Sequence, residues 1–448
     1  MSLSAGIPSD EPIIDVGIVL PEDRQKRLRI EIPHEGDYAL QIDGNVAIAL
    51  QRGSMIEIQR NSNALEILLA QNKSQQAQRI EIGLQGEIAP NKGYGLLVRD
   101  VVAGRNFHWQ KNIDVTLPGG LLCEMYQDVL MLINRLPFEQ YVMCVATSEM
   151  SAECPDAFLE AQTITARSWM LANVEQKHRA LGMDVCNDDC CQRYQGSTFL
   201  SKQAVAATSA TSGKVLLHGD LICDARYSKS CGGMMEAFEA VWPGKPHPYL
   251  QIKPDLPETE LQHVPDLTSE SAFQDWLAVP PKAYCSPHYI AENELKTYLG
   301  SVDESGRYYR WSFSLIQKEI TKLLNEKLNL YAEHIEALHV RKRGGSGRVM
   351  QLAIVYVDRA QQQRTHLLDS EYAIRAALHP HFLYSSAIVI EPKYKGGHVP
   401  DSFKIDGCGW GHGVGLCQIG GLGMALAGES AENILSHYYP GSNLQKIY

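Results

Sequence analysis

Residues 136–177 read LPFEQYVMCVATSEMSAECPDAFLEAQTITARSWMLANVEQK, and this stretch decides the fold. Pro137 sits near a first-turn position, where its missing N–H costs nothing, and the apolar residues behind it fall at helical spacing. A helix over 136–150 is expected. Pro155 and Asp156 open a second helix running to about Lys177. Along it Ala157, Ala161, Ile164, Ser168 and Leu171 form a stripe of small and apolar side chains at steps of four and three. The link SEMSAEC is short, so the two helices are expected to be neighbours.

Upstream the texture differs. From about residue 12 to 120 short runs such as VGIVL, LRIEI, YALQI, VAIAL, MIEIQ and IEIGL alternate with turn residues. Leu28, Ile30 and Ile32, like Ile56 and Ile58, keep period two, the mark of half-buried strands. An all-β region over 1–116 is expected, serving as scaffold or presentation surface. Downstream come a cysteine-bearing loop (178–198) and a helix-like SKQAVAATSATSG that Gly213 would cap. Strands at KVLLHG and LICDARYS follow, then helices at SAFQDWLA, NELKTYLG and LIQKEITKLLNEKL. A strand pair, IEALHVRKR and RVMQLAIVYVD, turns at GGSG. The expected fold is α+β and β-rich, with a second region over 117–448. Its helical part covers about 136–213, and a glycine-rich block, 407–448, closes the chain.

Composition narrows the function classes. The 448 residues carry a net charge of −11, with 44% apolar and 21% charged residues, which excludes wholesale disorder. An acidic chain is a poor candidate for nucleic-acid binding through broad phosphate contact. No run approaches the roughly 18 apolar residues of a membrane span. The start, MSLSAGIPSDEPIIDVGIVLPEDRQKR, shows no basic leader followed by an apolar core, so no secretory signal is legible there. Eleven cysteines leave at least one outside any disulfide set.

Several motifs fail on spacing. There is no HExxH, and Gly213-Lys214 lacks the rest of a phosphate loop. Gly407, Gly409, Gly411, Gly413 and Gly415 run G-x-G-x-G without a βαβ context, so nucleotide and nicotinamide binding are not expected. That block, GCGWGHGVGLCQIGG, instead frees the backbone for close approach and presents Trp410 and His412 as a stacking face and a polar ring. Its bland alternative is a core loop with a satisfied histidine. Glu149 ends the first helix, where a glutamate is either solvated or catalytic. Arg167 on the second helix is either a structural ion pair or a substrate clamp. His178, Cys186, Cys190 and Cys191 cluster in the loop, with C-x3-C spacing inside the range of zinc hooks; a disulfide or plain buried thiols are the alternatives.

Five blocks in order resemble the SpoIID/LytB family, the stage II sporulation proteins D and the LytB-type amidase enhancers. Leu136, Pro137, Glu139 and Tyr141 resemble its Leu-Pro-x-Glu-x-Tyr run. Ser148-Glu149-Met150 is similar to its Ser-Glu-Met-Pro, with Ser151 where proline is usual. Ala161-Gln162 and Ala166-Arg167-Ser168-Trp169 resemble its Ala-Gln-x-x-x-Ala-Arg-Thr-Tyr. Ser228 to Gly233 resembles its Ser-x-x-Gly-Gly, and Gly409 to Gln418 its closing glycine block, with Leu416-Cys417 in place of Met-Ser. HYYPG (437–441) also matches, and VGIVL and VAGRNFHW (102–109) are weaker likenesses.

The resemblance implies a lytic transglycosylase that cuts peptidoglycan glycan strands freed of stem peptides, outside the cytoplasm, with Glu149 as the catalytic acid. It implies substrate contacts at Arg167, Tyr227, Ser228, Trp410, His412 and Gln418. A non-enzymatic wall-binding module that stimulates a cell-wall amidase is the competing class. No cofactor is expected for catalysis. One glutamate suffices when the sugar's own C6 hydroxyl is the nucleophile, because a single carboxyl can give a proton and then take one. An ordinary glycosidase would need a second acid, such as Glu153 or Asp156, facing Glu149. The resemblance also implies a metal in the cysteine loop, so His178, Cys186, Cys190 and Cys191 are expected to hold a structural zinc. Cys231 is the alternative fourth ligand, since adjacent cysteines rarely both ligate.

Overall fold

The computed structural model describes residues 6–45, 47–61, 64–69, 73–105, 110–172, 174, 176–188, 190–300 and 306–448. Residues 106–109, part of the VAGRNFHW likeness, lie outside these. The chain is α+β and rich in strand, as its patterning predicts. It divides into two compact units, one made of Met1–Asp224, Thr297–Asp303 and Leu444–Tyr448, the other of Ala225–Lys296 and Glu304–Asn443.

In the first unit the alternating segments form two sheets. One runs in the order Val185–Cys186, Ile13–Val19, Val129–Pro137, Gly120–Tyr126, Arg79–Gln85, Asp37–Ile42, Ile48–Ala49. The other runs Lys111–Leu117, Leu96–Ala103, Arg27–Glu31, Met55–Asn61, Ala64–Leu69, Lys73–Ala77. The period-two residues do what that period requires. Leu28 pairs with Ile58 and Ile30 with Ile56, and all four enter one hydrophobic cluster together with Ile14, Val16, Leu40 and Leu132 from the other sheet. Each such burial contributes about 1.5–3 kcal/mol.

Strand Val129–Pro137 passes directly into helix α1 (Phe138–Glu149), with Pro137 as its N-cap rather than inside its first turn. Helix α2 (Asp156–Ala172) follows, ending short of the expected Lys177, which already lies in a turn behind Gln176 at φ 45°. Helix α3 (Lys202–Ala210) is N-capped by Ser201, whose side chain accepts from the Ala204 N–H. Phe138, Tyr141, Val142 and Val145 of α1, with Ala166 and Met170 of α2 and Ala204 of α3, join the same core as the sheets. The helix pair is therefore mounted rigidly on the β scaffold.

The second unit holds two three-stranded antiparallel sheets. Ser402–Cys408 lies between Arg310–Ile316 and Ile388–Lys393, and Val349–Asp358 between Ala332–Arg343 and Gln363–Leu368. The expected hairpin at GGSG is present. Helices Gln317–Leu328 and Glu371–Ala377 share the core of these sheets through Ile320, Leu324 and Ile374. The glycine-rich block leaves strand Ser402–Cys408 and re-enters sheet structure as Leu416–Cys417, paired in parallel with Tyr227–Ser228.

Candidate functional site

Glu149 is the last residue of α1, at the point where Met150 turns to extended backbone and forms a bridge with Leu299. Only 9% of it is exposed. Its Oε1 accepts the Arg193 backbone N–H at 3.3 Å. The preceding turn is fixed from both sides, since Ser148 Oγ donates to the Cys144 carbonyl at 2.8 Å and accepts the Gln195 N–H at 3.1 Å. The linker is held as well: the Ser151 N–H and the Cys154 thiol both reach the Tyr298 carbonyl, at 3.0 and 3.4 Å. Glu153 of the link and Asp156 at the start of α2 are exposed, in contrast to the buried Glu149.

Arg167 does not meet Glu149. Its guanidinium is wholly buried and grips Glu139, with Nε on Oε1 at 2.9 Å and Nη2 on Oε2 at 2.7 Å, while Nη1 donates to the Lys214 carbonyl at 3.0 Å. A group without accessible surface makes no glycan contact in this conformation. Of the two roles open to it in the sequence, Arg167 takes the structural ion pair. Glu139 completes the network by accepting from the Gly213 N–H and the Tyr448 hydroxyl, at 3.1 and 2.7 Å.

The four loop residues converge. One ligand atom from each of His178, Cys186, Cys190 and Cys191 lies within 4.8 Å of all the others. Cys186 Sγ stands 3.2 Å from Cys190 Sγ, which is 3.9 Å from His178 Nε2. The sulfurs are free thiols, well beyond the roughly 2.05 Å of a disulfide. Hydrogen bonds from Cys186 and then Cys191 pull Cys190 far below the ordinary thiol range, while the Cys190 contact raises Cys186. A nitrogen and three sulfurs so grouped suit a tetrahedral zinc-class ion. Cys231, the alternative ligand, is not in this group.

The loop is tied down by residues whose roles are not legible locally. Arg105 donates through Nε and Nη2 to Asp23 at 2.7 Å each and through Nη1 to Asn187 at 2.6 Å. Asp188 accepts the Gly104 and Arg105 N–H groups at 3.0 and 2.7 Å. Behind the cysteines, Gln192 accepts from the Tyr141 hydroxyl at 2.9 Å and donates to the Ala166 carbonyl at 3.2 Å. Three consecutive residues therefore carry a thiol, a brace to both helices, and the N–H that bonds Glu149.

In the second unit the glycine block threads a crowded space. A Cβ on Gly413 would strike the Arg348 guanidinium, and one on Gly415 the Arg226 carbonyl, so neither position admits another residue. Fully buried Arg348 holds the block by donating to Gly411 and Cys231 carbonyls, at 3.4 and 3.3 Å, and to Ser346 Oγ at 3.0 Å. Trp410 is half-buried, stacked on Tyr384 at 4.1 Å and beside Tyr308 at 4.6 Å. The His412 ring accepts the Val414 N–H on Nδ1 at 3.1 Å, bonds the Tyr227 backbone, and meets Trp242 edge-on at 4.7 Å. Burial, then the charges of Arg226, Arg375 and Arg348, hold it well below its ordinary pKa and so neutral. Ser228 is buried and its Oγ accepts the Gly413 N–H at 3.2 Å; Tyr227 is half-buried, and Gln418 is buried at the start of helix Gln418–Leu426. The structure brings Tyr227, Ser228, Trp410, His412 and Gln418 together on two paired segments.

Comparison with known proteins divides the chain similarly. Residues 126–218 match the family model of the stage II sporulation protein, a span that includes Glu149, Arg167 and the cysteine loop. Residues 236–415 match a domain of unknown function, DUF8618. The amidase enhancer of Bacillus subtilis is 26% identical over 319 residues, which cover 67% of this chain and 39% of that protein. The stage II sporulation protein D of Bacillus amyloliquefaciens is 23% identical over 329 residues, covering 70% and 76%. An uncharacterised protein of Brachyspira hyodysenteriae is 24% identical over 332 residues, covering 73% and 71%.

Proposed function

We propose that this chain, a member of the SpoIID/LytB family, is a peptidoglycan lytic transglycosylase in which Glu149 acts first as acid and then as base. The observation that carries the reading is the setting of Glu149. A nine-tenths-buried carboxyl ends a helix braced on a β scaffold, with one oxygen held by the Arg193 backbone N–H and Arg167 paired with Glu139.

The chemistry runs through this one group. Protonated Glu149 gives its proton to the glycosidic oxygen between N-acetylmuramic acid and N-acetylglucosamine as the C1–O bond breaks. The resulting carboxylate takes the proton from the muramyl C6 hydroxyl, whose oxygen closes on C1 to give a 1,6-anhydro end. No water enters, so no second carboxylate is required. The Arg193 N–H holds one carboxyl oxygen and so orients the group.

His178, Cys186, Cys190 and Cys191 would hold a structural zinc ion, which supplies folding energy to the loop and does no chemistry when all four positions are filled. The loop's function is to hold the Arg193 N–H against Glu149. Substrate contacts are assigned to Trp410 as a sugar-stacking face, with Tyr227, Ser228 and Gln418 around it. The site of action is the cell wall or periplasm.

The test is mass spectrometry of denuded glycan strands digested with the purified chain. Anhydro-muramyl ends support the reading. Reducing ends alone point to a hydrolase, and no cleavage points to the second reading. That second reading, a wall-binding amidase enhancer, is favoured by the similarity to the Bacillus subtilis protein of that name. It predicts that the chain stimulates a wall amidase equally well with Glu149→Gln.

A further inference from the structure

Four side chains far apart in sequence meet inside the second unit. Cys231 lies in the turn after strand Tyr227–Ser228, Asp255 follows strand Lys253–Pro254, Cys285 sits on the loop behind Ala283, and Cys417 ends strand Leu416–Cys417. Ligand atoms from all four lie within 4.8 Å of one another. All four residues are buried, none more than 3% exposed. We propose that Cys231, Asp255, Cys285 and Cys417 form a closed tetrahedral site for a divalent cation of the zinc class.

The distances argue for one ion. Bonds of about 2.3 Å to sulfur and 2.1 Å to oxygen set tetrahedral edges of about 3.8 Å between sulfurs and 3.6 Å between sulfur and oxygen. Cys231 Sγ is 3.8 Å from Cys285 Sγ and 3.5 Å from Asp255 Oδ2. Ligands this close surround a single metal; they do not span an iron–sulfur cubane.

Charge argues the same way. A fully buried carboxylate among three thiols is costly unless a cation compensates it. Asp255 accepts the Cys285 N–H on Oδ2 at 3.1 Å and the Tyr438 hydroxyl on Oδ1 at 2.7 Å; His437 Nε2 stands 3.5 Å from Oδ1, and the Lys253 ammonium, bonded to His437, acts on the carboxylate from farther out. Such hydrogen bonds are what orients a ligating carboxylate from outside the coordination shell. Cys417 is treated likewise, since its sulfur accepts the Cys231 and Gly420 N–H groups at 3.2 and 3.3 Å. Those donors, one of them in the first turn of helix Gln418–Leu426, offset the negative charge that three thiolates and a carboxylate bring to one dication.

The site has a mechanical purpose. Cys417 borders the glycine block, and Cys231 borders the turn that carries Ser228. A bound ion would lock those two segments to the Asp255 and Cys285 loops, and with them the setting of Trp410 and His412. Cys417 stands where the resembled pattern has serine, so this lock is a property of the present chain. It is independent of what Glu149 does.

The decisive experiment removes the loop group and asks what metal remains. The full chain carrying Cys186→Ser and Cys190→Ser, grown with zinc under reducing conditions, is expected to retain one zinc per molecule. Cobalt exchange should give tetrahedral d–d bands with strong sulfur-to-metal charge transfer. Adding Cys285→Ser should abolish the signal, and Asp255→Cys should keep the ion while intensifying the charge transfer. A folded loop-deficient chain without stoichiometric metal overturns the proposal. Should that chain fail to fold, the unsubstituted chain decides: two zinc ions per molecule are expected. One ion or none, with Cys231, Cys285 and Cys417 open to alkylation or joined by a disulfide in the native state, overturns it.

Discussion

Arg167 and Glu139, 28 positions apart, form a two-point ion pair in which the guanidinium has no exposed surface. The pair joins helices α1 and α2 from within, and it leaves Glu149 without that arginine as a partner. Two residues that read as parts of separate motifs are one structural element.

Removing one partner of such a pair strands the other's charge. Arg167→Met is expected to cost about 3–5 kcal/mol. Urea unfolding with unchanged m-value checks this. A loss under about 1 kcal/mol, accompanied by a raised KM for glycan, would return Arg167 to the substrate site.

Glu149→Gln keeps the side chain's shape and the hydrogen bond from Arg193 but cannot exchange the proton. Turnover of denuded glycan should fall by about 10²–10⁴-fold, the range for loss of a general acid–base. The unfolding free energy should stay within about 1 kcal/mol of the parent. Unchanged release of anhydro ends by this variant would end the assignment.

His412 gives a pH signature. The folded protein keeps the ring neutral, whereas in the unfolded chain it protonates near its ordinary value of 6.5. Below that value the unfolded state binds the extra proton, so stability falls as pH drops through it and is fully regained above it. His412→Gln should flatten this dependence. Urea midpoints for parent and variant between about pH 7.5 and pH 5 decide the matter, and parallel slopes would contradict it. Because the ring bonds both the Val414 N–H and the Tyr227 backbone, His412→Ala should also cost about 1–3 kcal/mol.

Chelation of the loop metal should lower thermal stability, by about 4 kcal/mol if zinc is supplied at a thousandfold excess over its Kd. Activity should fall with it, because Cys191, Gln192 and Arg193 link the ion to Glu149. Cys190→Ser should reproduce both effects. Full glycan cleavage by metal-free protein would separate the loop from the site.

The strands and helices were legible because local periodicity determines them: Leu28 and Ile30 point inward simply by alternating. The helix-end place of Glu149 was legible from its motif, and the grouping of His178, Cys186, Cys190 and Cys191 from their nearness in sequence. Arg167 was legible only as a choice between two roles, since its partner lies a helix away. The Cys231, Asp255, Cys285 and Cys417 group left no local trace, because its members are brought together by turns spread over 186 positions. The same holds for Arg348, whose importance rests on glycines that would otherwise collide with it.

Leu444–Tyr448 belong to the first unit, where Asn443–Lys446 lies against strand Lys214–His218 and the Tyr448 hydroxyl bonds Glu139. During synthesis, these residues leave the ribosome only after the entire second unit. The helix pair bearing Glu149 therefore waits, with one sheet edge open and Glu139 under-bonded, until Leu444–Tyr448 have been made. Completion of the Glu139–Arg167 network is deferred until the second unit has been made, so the brace between α1 and α2 matures late although both helices are made early.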